Sequence, residues 1–209
     1  MYMKKWLWIG VLILSAVMFM QSPQTTQAAT DTYVVKSGDT LWKISKRYQI
    51  GLSEIINANS QFNNPDLIYP GDRVTIPLKR QVKSTEQQVI DLTNQERAQQ
   101  GLPALKENWQ LSRVARYKSR DMAAKGYFSH NSPTYGSPFN MMRDFNVSYR
   151  RAAENIAAGQ STPEQVVNGW MNSPGHRKNI LDPNLKQIGV GYANGGSYGH
   201  YWTQMFITK

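Results

Sequence analysis

The chain of 209 residues contains no cysteine, and no other single feature narrows its options so far. A disulfide scaffold, a cysteine-ligated zinc site, a CxxC redox motif and a thiol nucleophile are excluded together. Packing and hydrogen bonding must therefore hold the fold. With 40% hydrophobic residues, 18% charged residues and six tryptophans, the composition supports a packed core and argues against wholesale disorder. The length suits one ordinary domain or two small ones.

The N-terminus reads as an export signal. Lys4 and Lys5 precede an apolar run from Trp6 to Met20, and Thr26, Ala28 and Ala29 supply small residues for cleavage. The run is shorter than the ~20 apolar residues that span a bilayer. Residues 1–28 are therefore expected to be removed, leaving no stable membrane anchor. Loss of both lysines lowers the formal charge from +10 to +8. An exported chain without cysteine suits a bacterium. Its positive charge favours anionic polymers such as teichoic acid. No dense Lys/Arg run or aromatic–basic stripe accompanies that charge, so nucleic acid is not expected as a partner.

Past the signal, the chain divides near Leu78. Residues 32–78 read as βααβ. A strand at Thr32–Lys36 leads to a turn at Ser37-Gly38, and Asp39 or Thr40 can cap a helix carrying Leu41, Ile44 and Tyr48 on one stripe. Trp42 is expected in the core. Gly51 is expected to end this helix, with a second short helix starting near Ser53 and carrying Ile55 and Ile56. Pro70-Gly71 supplies a turn before an alternating strand at Arg73–Pro77.

The strings Tyr33-Val34-Val35-Lys36-Ser37-Gly38-Asp39-Thr40-Leu41-Trp42, Asn57-Ala58-Asn59 and Ile68-Tyr69-Pro70-Gly71-Asp72-Arg73-Val74 resemble a LysM domain. The resemblance implies binding of peptidoglycan or another N-acetylglucosamine-containing glycan across two loops. The matching positions are Gly38, Asp39, Thr40 and Leu41 in one loop, and Asn64, Pro65, Asp66, Leu67 and Ile68 in the other.

Residues 79–85 read as a short polar, basic linker, and residues 86–209 as a second domain. Thr85-Glu86-Gln87-Gln88 has the pattern of a capping box feeding a helix through Leu92. A further helix is expected from Trp109 to Lys125, stopped by Gly126. Thr162-Pro163 should start a third. Gln187–Tyr192 and Tyr201–Thr208 read as strands joined by a turn at Asn194-Gly195-Gly196. Helices followed by a late hairpin make this an α+β domain.

All three histidines fall in this second block. Glu154 interrupts the small apolar stretch Ala152–Ala158, and a carboxylate buried there needs a donor. His130, Glu154 and His176 could assemble a divalent-metal site or an acid–base pair, or a hydrogen-bond network that braces loops. The string Gly195-Gly196-Ser197-Tyr198-Gly199 satisfies GxSxG. It lacks the following helix and the downstream Asp and His of a nucleophile elbow, and reads as a hairpin turn.

Asn94-Gln95-Glu96-Arg97, Phe128-Ser129-His130, Ala153-Glu154-Asn155-Ile156, Trp170-Met171-Asn172-Ser173-Pro174-Gly175-His176-Arg177 and Tyr201-Trp202-Thr203-Gln204 resemble a CAP domain. This is the superfamily of cysteine-rich secretory, antigen 5 and pathogenesis-related proteins. The resemblance implies secretion and an α-β-α sandwich with a cleft, which in eukaryotic members holds two His and two Glu. His130 matches the first His and Glu154 one Glu. Ser173 stands where the second Glu is expected, and Tyr201 where the second His is expected. His200 lies one residue away, on the opposite strand face. His176 belongs to the Pro-Gly-His-Arg string of bacterial members. Together the two resemblances imply a secreted, wall-associated protein that binds peptidoglycan and presents the CAP domain as effector or scaffold. The alternatives are a wall-active hydrolase using His130, Glu154 and His176, and a component of the spore cortex or coat. A divalent metal is the one cofactor this residue set would take.

Overall fold

The computed structural model describes residues 31–77 and 80–209; the expected export signal lies outside them. The first domain opens with β1 (Asp31–Val34) and closes with β2 (Arg73–Ile76), paired antiparallel from Asp31↔Ile76 to Val34↔Arg73. Between them lie α1 (Leu41–Tyr48) and α2 (Leu52–Asn57). Thr40 caps α1, its side chain accepting from the Lys43 amide at 3.1 Å. Leu41 and Ile44 face a core of Val35, Ile50, Ile55, Val74 and Ile76.

Two local expectations are corrected. Trp42 is 53% exposed, because it lies a full 100° step off the Leu41–Ile44 stripe, and Lys46 covers its ring at 4.4 Å. Gly51 does not end α1. That helix stops at Tyr48 with Gln49 in the left-handed region (φ 55), and Gly51 is instead the N-cap of α2.

The segment expected as a linker is helical from Arg80 onward. Helix α3 runs Arg80–Gln99, so Thr85 sits inside the helix rather than at its start. Val82 packs against the core of the first domain, and this contact extends α3 by more than a turn before Thr85. The two domains also meet through an ion pair. Arg113 donates from Nε to Glu54 Oε1 (2.6 Å) and from Nη2 to Glu54 Oε2 (3.0 Å).

The second domain continues with β3 (Lys106–Glu107), α4 (Trp109–Lys125), α5 (Pro138–Asp144), β4 (Arg151–Ala158), α6 (Pro163–Met171), α7 (Pro174–Ile180), β5 (Gln187–Asn194) and β6 (His200–Thr208). The sheet order is β3-β5-β6-β4, parallel only between β3 and β5. Residues paired across antiparallel strands share a face. Ala152, Met205 and Ile207 therefore pack on Leu111, Val114 and Ala115 of α4, while Ala157, Trp202 and Phe206 pack on Val166 and Trp170 of α6 and on Val89 of α3. The result is the expected α-β-α sandwich. The segment Gly195–Gly199 is the β5–β6 turn, closed by the Gly195 amide donating to Gly199 O at 2.8 Å.

Candidate functional site

The first site is the pair of loops at one end of the β1–β2 ribbon. Val35 and the turn before β2 exchange backbone bonds, Val35 N to Asp72 O and Gly71 N to Val35 O, both 2.9 Å. These draw residues 36–41 and 64–72 together. Gly38 sits at φ +79, a conformation that side chains disfavour. The Asp39 carboxylate accepts from Tyr33 Oη (2.6 Å) and the Lys36 amide (3.0 Å). The first of these bonds, with the second and the nearby Arg47, holds its carboxyl below the ordinary range. Asn64 Oδ1 accepts from the Asp66 amide at 3.0 Å. Thr40, Asn64, Asp66 and Leu67 are exposed. Leu41 is buried at 2%, so of the nine expected glycan positions its side chain belongs to the core. Leu67 and Tyr69 supply exposed apolar surface beside the polar loop edges.

The second site lies at the free edge of β4. Glu154 is 6% exposed and its Oε1 lies 2.7 Å from His130 Nδ1. The pocket around them, about 370 Å³, is also lined by Asn131, Ser137, Phe139 and Asn179. Burial pushes the Glu154 carboxyl above its ordinary range, against the lowering effects of His130 and Lys118. His176 lies close enough to be affected by His130; burial, and then that charge, lower its imidazole. The structure thus brings His130 onto Glu154, with His176 nearby.

The metal expectation is not supported. Among the described residues no group of three His, Cys, Asp or Glu side chains is placed to hold a metal ion. Glu154 bonds His130 Nδ1 and leaves Nε2 open, and Ser173 and Tyr201 stand where the resemblance would put two further ligands. His200 is bound elsewhere, its Nδ1 lying 2.7 Å from Tyr192 Oη.

Two residues supporting this site are new from the structure. Lys118, fully buried, donates from Nζ to the His130 carbonyl at 2.7 Å. Asp121 accepts from Tyr127 Oη (2.6 Å), Ser132 Oγ (2.6 Å) and Thr134 Oγ1. Burial raises the Asp121 carboxyl, but the bonds from Ser132, Thr134 and Tyr127 outweigh that and hold it below its ordinary range. Helix α4 therefore pins the loop that carries His130. A sequence signal existed: Lys118 interrupts the apolar stripe of Leu111, Ala115 and Met122.

Behind β4, a buried polar chain orients α7. Thr93 Oγ1 accepts from Gln204 Nε2 (2.8 Å), Gln204 Oε1 accepts from Asn155 Nδ2 (3.0 Å), and Asn155 Oδ1 accepts from Asn179 Nδ2 (2.8 Å). Arg97 reaches the end of α7, donating from Nη1 to Ile180 O at 2.7 Å. These interactions give structural roles to Asn155, Gln204 and Arg97.

Glu154→Gln tests the state of this carboxylate. The fold favours its protonated form, so between the ordinary Glu pKa and the raised value the folded chain binds more protons than the unfolded chain. Its contribution therefore makes stability fall as pH rises through that interval. The Gln variant should lie within ~1 kcal/mol of the parent at the acid end and gain on it as pH rises. Paired urea titrations across pH check this; a Gln variant that loses ground with rising pH contradicts it.

Residues 90–206 match the family model for the cysteine-rich secretory protein family, and residues 33–77 match the LysM domain. The Bacillus subtilis protein YkwD is 59% identical over 128 residues, 61% of this chain and 49% of that protein. A crystal structure of an extracellular SCP-domain protein from Bacillus anthracis superposes with TM-score 0.58 at 37% identity, covering 67% of this chain and 47% of the other. The chain thus spans about half the length of these two relatives. Over 47 residues, 22% of this chain and 7% of the other, the spore coat assembly protein ExsA of Bacillus cereus is 45% identical. Among the described residues no helix is long and apolar enough to cross a membrane, and the two domains fit an extracellular or wall-associated protein. With its model matched along more than half the chain and the α-β-α sandwich in place, the chain belongs to the cysteine-rich secretory protein (CAP) family and carries a LysM domain ahead of it.

Proposed function

We propose that this protein is secreted, is retained on peptidoglycan by its LysM loops, and presents its CAP cleft there as a binding or scaffolding surface. The observation that carries the reading is the exposed loop pair, with amides and Asn64 and Asp66 beside uncovered Leu67. Polar edges can bond acetamido and hydroxyl groups while the apolar side chain covers the methyl. The match to ExsA supports the same glycan recognition on a spore envelope, a change of place rather than of chemistry.

The hydrolase reading rests on the bonded Glu154–His130 pair in a pocket, which is the chemistry of a general acid. Against it, carboxylate-based glycoside hydrolysis uses two carboxyl groups, and Glu154 is the only one among the pocket's described lining residues. Nor, among the described residues, are three His, Cys, Asp or Glu side chains grouped for a metal-activated water.

Leu67→Asp in the full chain should weaken binding to teichoic-acid-free peptidoglycan at least about tenfold. Losing one buried leucine contact removes ~1.5–3 kcal/mol, and ~1.4 kcal/mol is tenfold. Its melting temperature should not change, since Leu67 is exposed. Unchanged binding would refute the loop assignment. No reducing ends or free amines should appear in the same incubations; release that Glu154→Gln abolishes would establish the hydrolase instead.

A further inference from the structure

A second pocket, of about 250 Å³, opens along the edge of β4 beside the one that holds His130 and Glu154. Trp170, Val166 and Ile156 give it apolar walls, and Phe128, Gln160 and His176 also line it. Trp170 is buried and fixed, donating from Nε1 to Ile156 O at 3.2 Å.

Gln160 and His176 are held by their backbones. Trp202 Nε1 donates to Gln160 O at 2.7 Å, and Asn155 Nδ2 donates to His176 O at 3.2 Å. Their side-chain heads are used by neither contact. Gln160 Oε1 and His176 Nδ1 are both shielded from solvent and lack a hydrogen-bond partner in the protein. Buried polar atoms normally find partners, so this pair marks a place where a bound group can supply them.

The chemistry of that group is narrow. The pocket is lined by no Asp, Glu, Lys or Arg, although the whole chain carries +10; an anionic phosphate or carboxylate has no counter-charge here. One carboxamide and one imidazole nitrogen above an apolar wall fit a neutral secondary amide with a methyl group. The amide N–H donates to Gln160, its carbonyl accepts from the imidazole N–H, and the methyl rests against Trp170 and Val166. Beside the pocket, Phe128 and Tyr198 are both about half exposed, with ring centroids 6.2 Å apart. They form an aromatic ledge on which the face of a ring can lie. A volume below the usual span of ligand pockets, roughly 300–1,000 Å³, suits one such group rather than an extended chain.

We propose that this pocket is a second wall-glycan subsite, on the CAP domain, that takes the N-acetyl group of an amino sugar. It rests on the reading that the LysM loops bring the chain to this same polymer, and it adds a weak contact whose effect is multiplied once the chain is tethered.

The test is a titration of the isotope-labelled full chain with tetra-N-acetylchitotetraose, followed residue by residue by NMR. The amides of Gly38–Thr40 report the LysM loops; the Trp170 indole, the Gln160 carboxamide and the His176 ring report the new pocket. Both sets should shift and saturate. Cellotetraose, which lacks acetamido groups, should leave the pocket set unmoved. Gln160→Leu should weaken the pocket response at least tenfold and spare the Gly38–Thr40 response, and His176→Leu should do the same should the first variant fold poorly. Movement of the LysM set alone overturns the proposal. So does a pocket response to an N-acetylated alanyl peptide without one to the chitotetraose, or an equal response to cellotetraose. Movement of the pocket set with a silent LysM set sinks the anchoring reading and leaves this subsite standing.

Discussion

Replacing Arg116 with alanine should destabilise the protein by ~3–5 kcal/mol. Arg116 of α4 binds Glu86 of α3 through Nε and Nη2, at 2.7–2.8 Å, and the side chains are only 5% and 3% exposed. Glu86 Oε1 also accepts the Tyr192 amide of β5 at 3.1 Å. The pair thus ties both helical layers to the sheet. Without the guanidinium, a carboxylate is left buried with little to balance it. Replacing both partners by apolar side chains of similar size should recover most of the loss, because desolvation of the two charges offsets much of their attraction. Urea unfolding of the single and double variants measures this. A single variant losing less than ~1 kcal/mol would mean that the pair is not the buried tie described.

Gly191→Ala should be comparably damaging. A Cβ at Gly191 would stand 2.1 Å from Ala115 C and Arg116 N, and one at Gly189 would stand 2.3 Å from Ser112 N. These obstacles are helix backbone, which cannot rotate away as a side chain can. Helix α4 lies directly on β5 only because these two positions lack side chains. Overpacking costs ~1–3 kcal/mol and sometimes more; a clash with backbone belongs at the top of that range. Gly169→Ala is the control. It sits inside α6 with nothing within 4 Å of its added Cβ, and should stabilise by ~0.5–1 kcal/mol through helix propensity. Thermal unfolding that ranks Gly191→Ala at or above the parent would overturn this packing account.

Much of this scaffold was legible where local chemistry and tertiary packing agree. Helix α4 starts and stops where the sequence indicates, with Gly126 as its left-handed cap. Helix α6 begins with Thr162 capping and Pro163 in the first turn. The final hairpin also follows its alternation. Strand β4 was not legible, because Ala152, Ala153, Ala157 and Ala158 carry little strand preference. It exists because Ala152–Ala158 find their partners on β6. Helix α7 was hidden by Pro174-Gly175 and by having one buried apolar residue, Ile180; the Asn155–Asn179 bond and Arg97 hold it from outside.

The site was legible in the same uneven way. Glu154 stood out because a carboxyl group in an alanine-rich stretch needs a hydrogen-bond partner, and His130 is that partner. For the metal alternative, no group of three His, Cys, Asp or Glu side chains is placed to hold an ion among the described residues. Lys118 was readable in principle, as a cation on an apolar stripe, but its target is a backbone carbonyl that only the folded loop presents. The helix through the expected linker was hidden for a related reason: its polar composition gives no hint that Val82 packs against the core of the first domain.

The most direct test of the anchoring claim is cosedimentation with teichoic-acid-free peptidoglycan, comparing the full chain with a chain cut to residues 80–209. Moderate salt, ~0.15 M, screens the chain's positive charge beyond ~8 Å. Both proteins are first shown to be folded by circular dichroism. The full chain should pellet with the wall and stay there as salt is raised, while the shortened chain remains mostly in the supernatant. Equal pelleting of the two, or release of the full chain by salt alone, would contradict retention by the LysM loops.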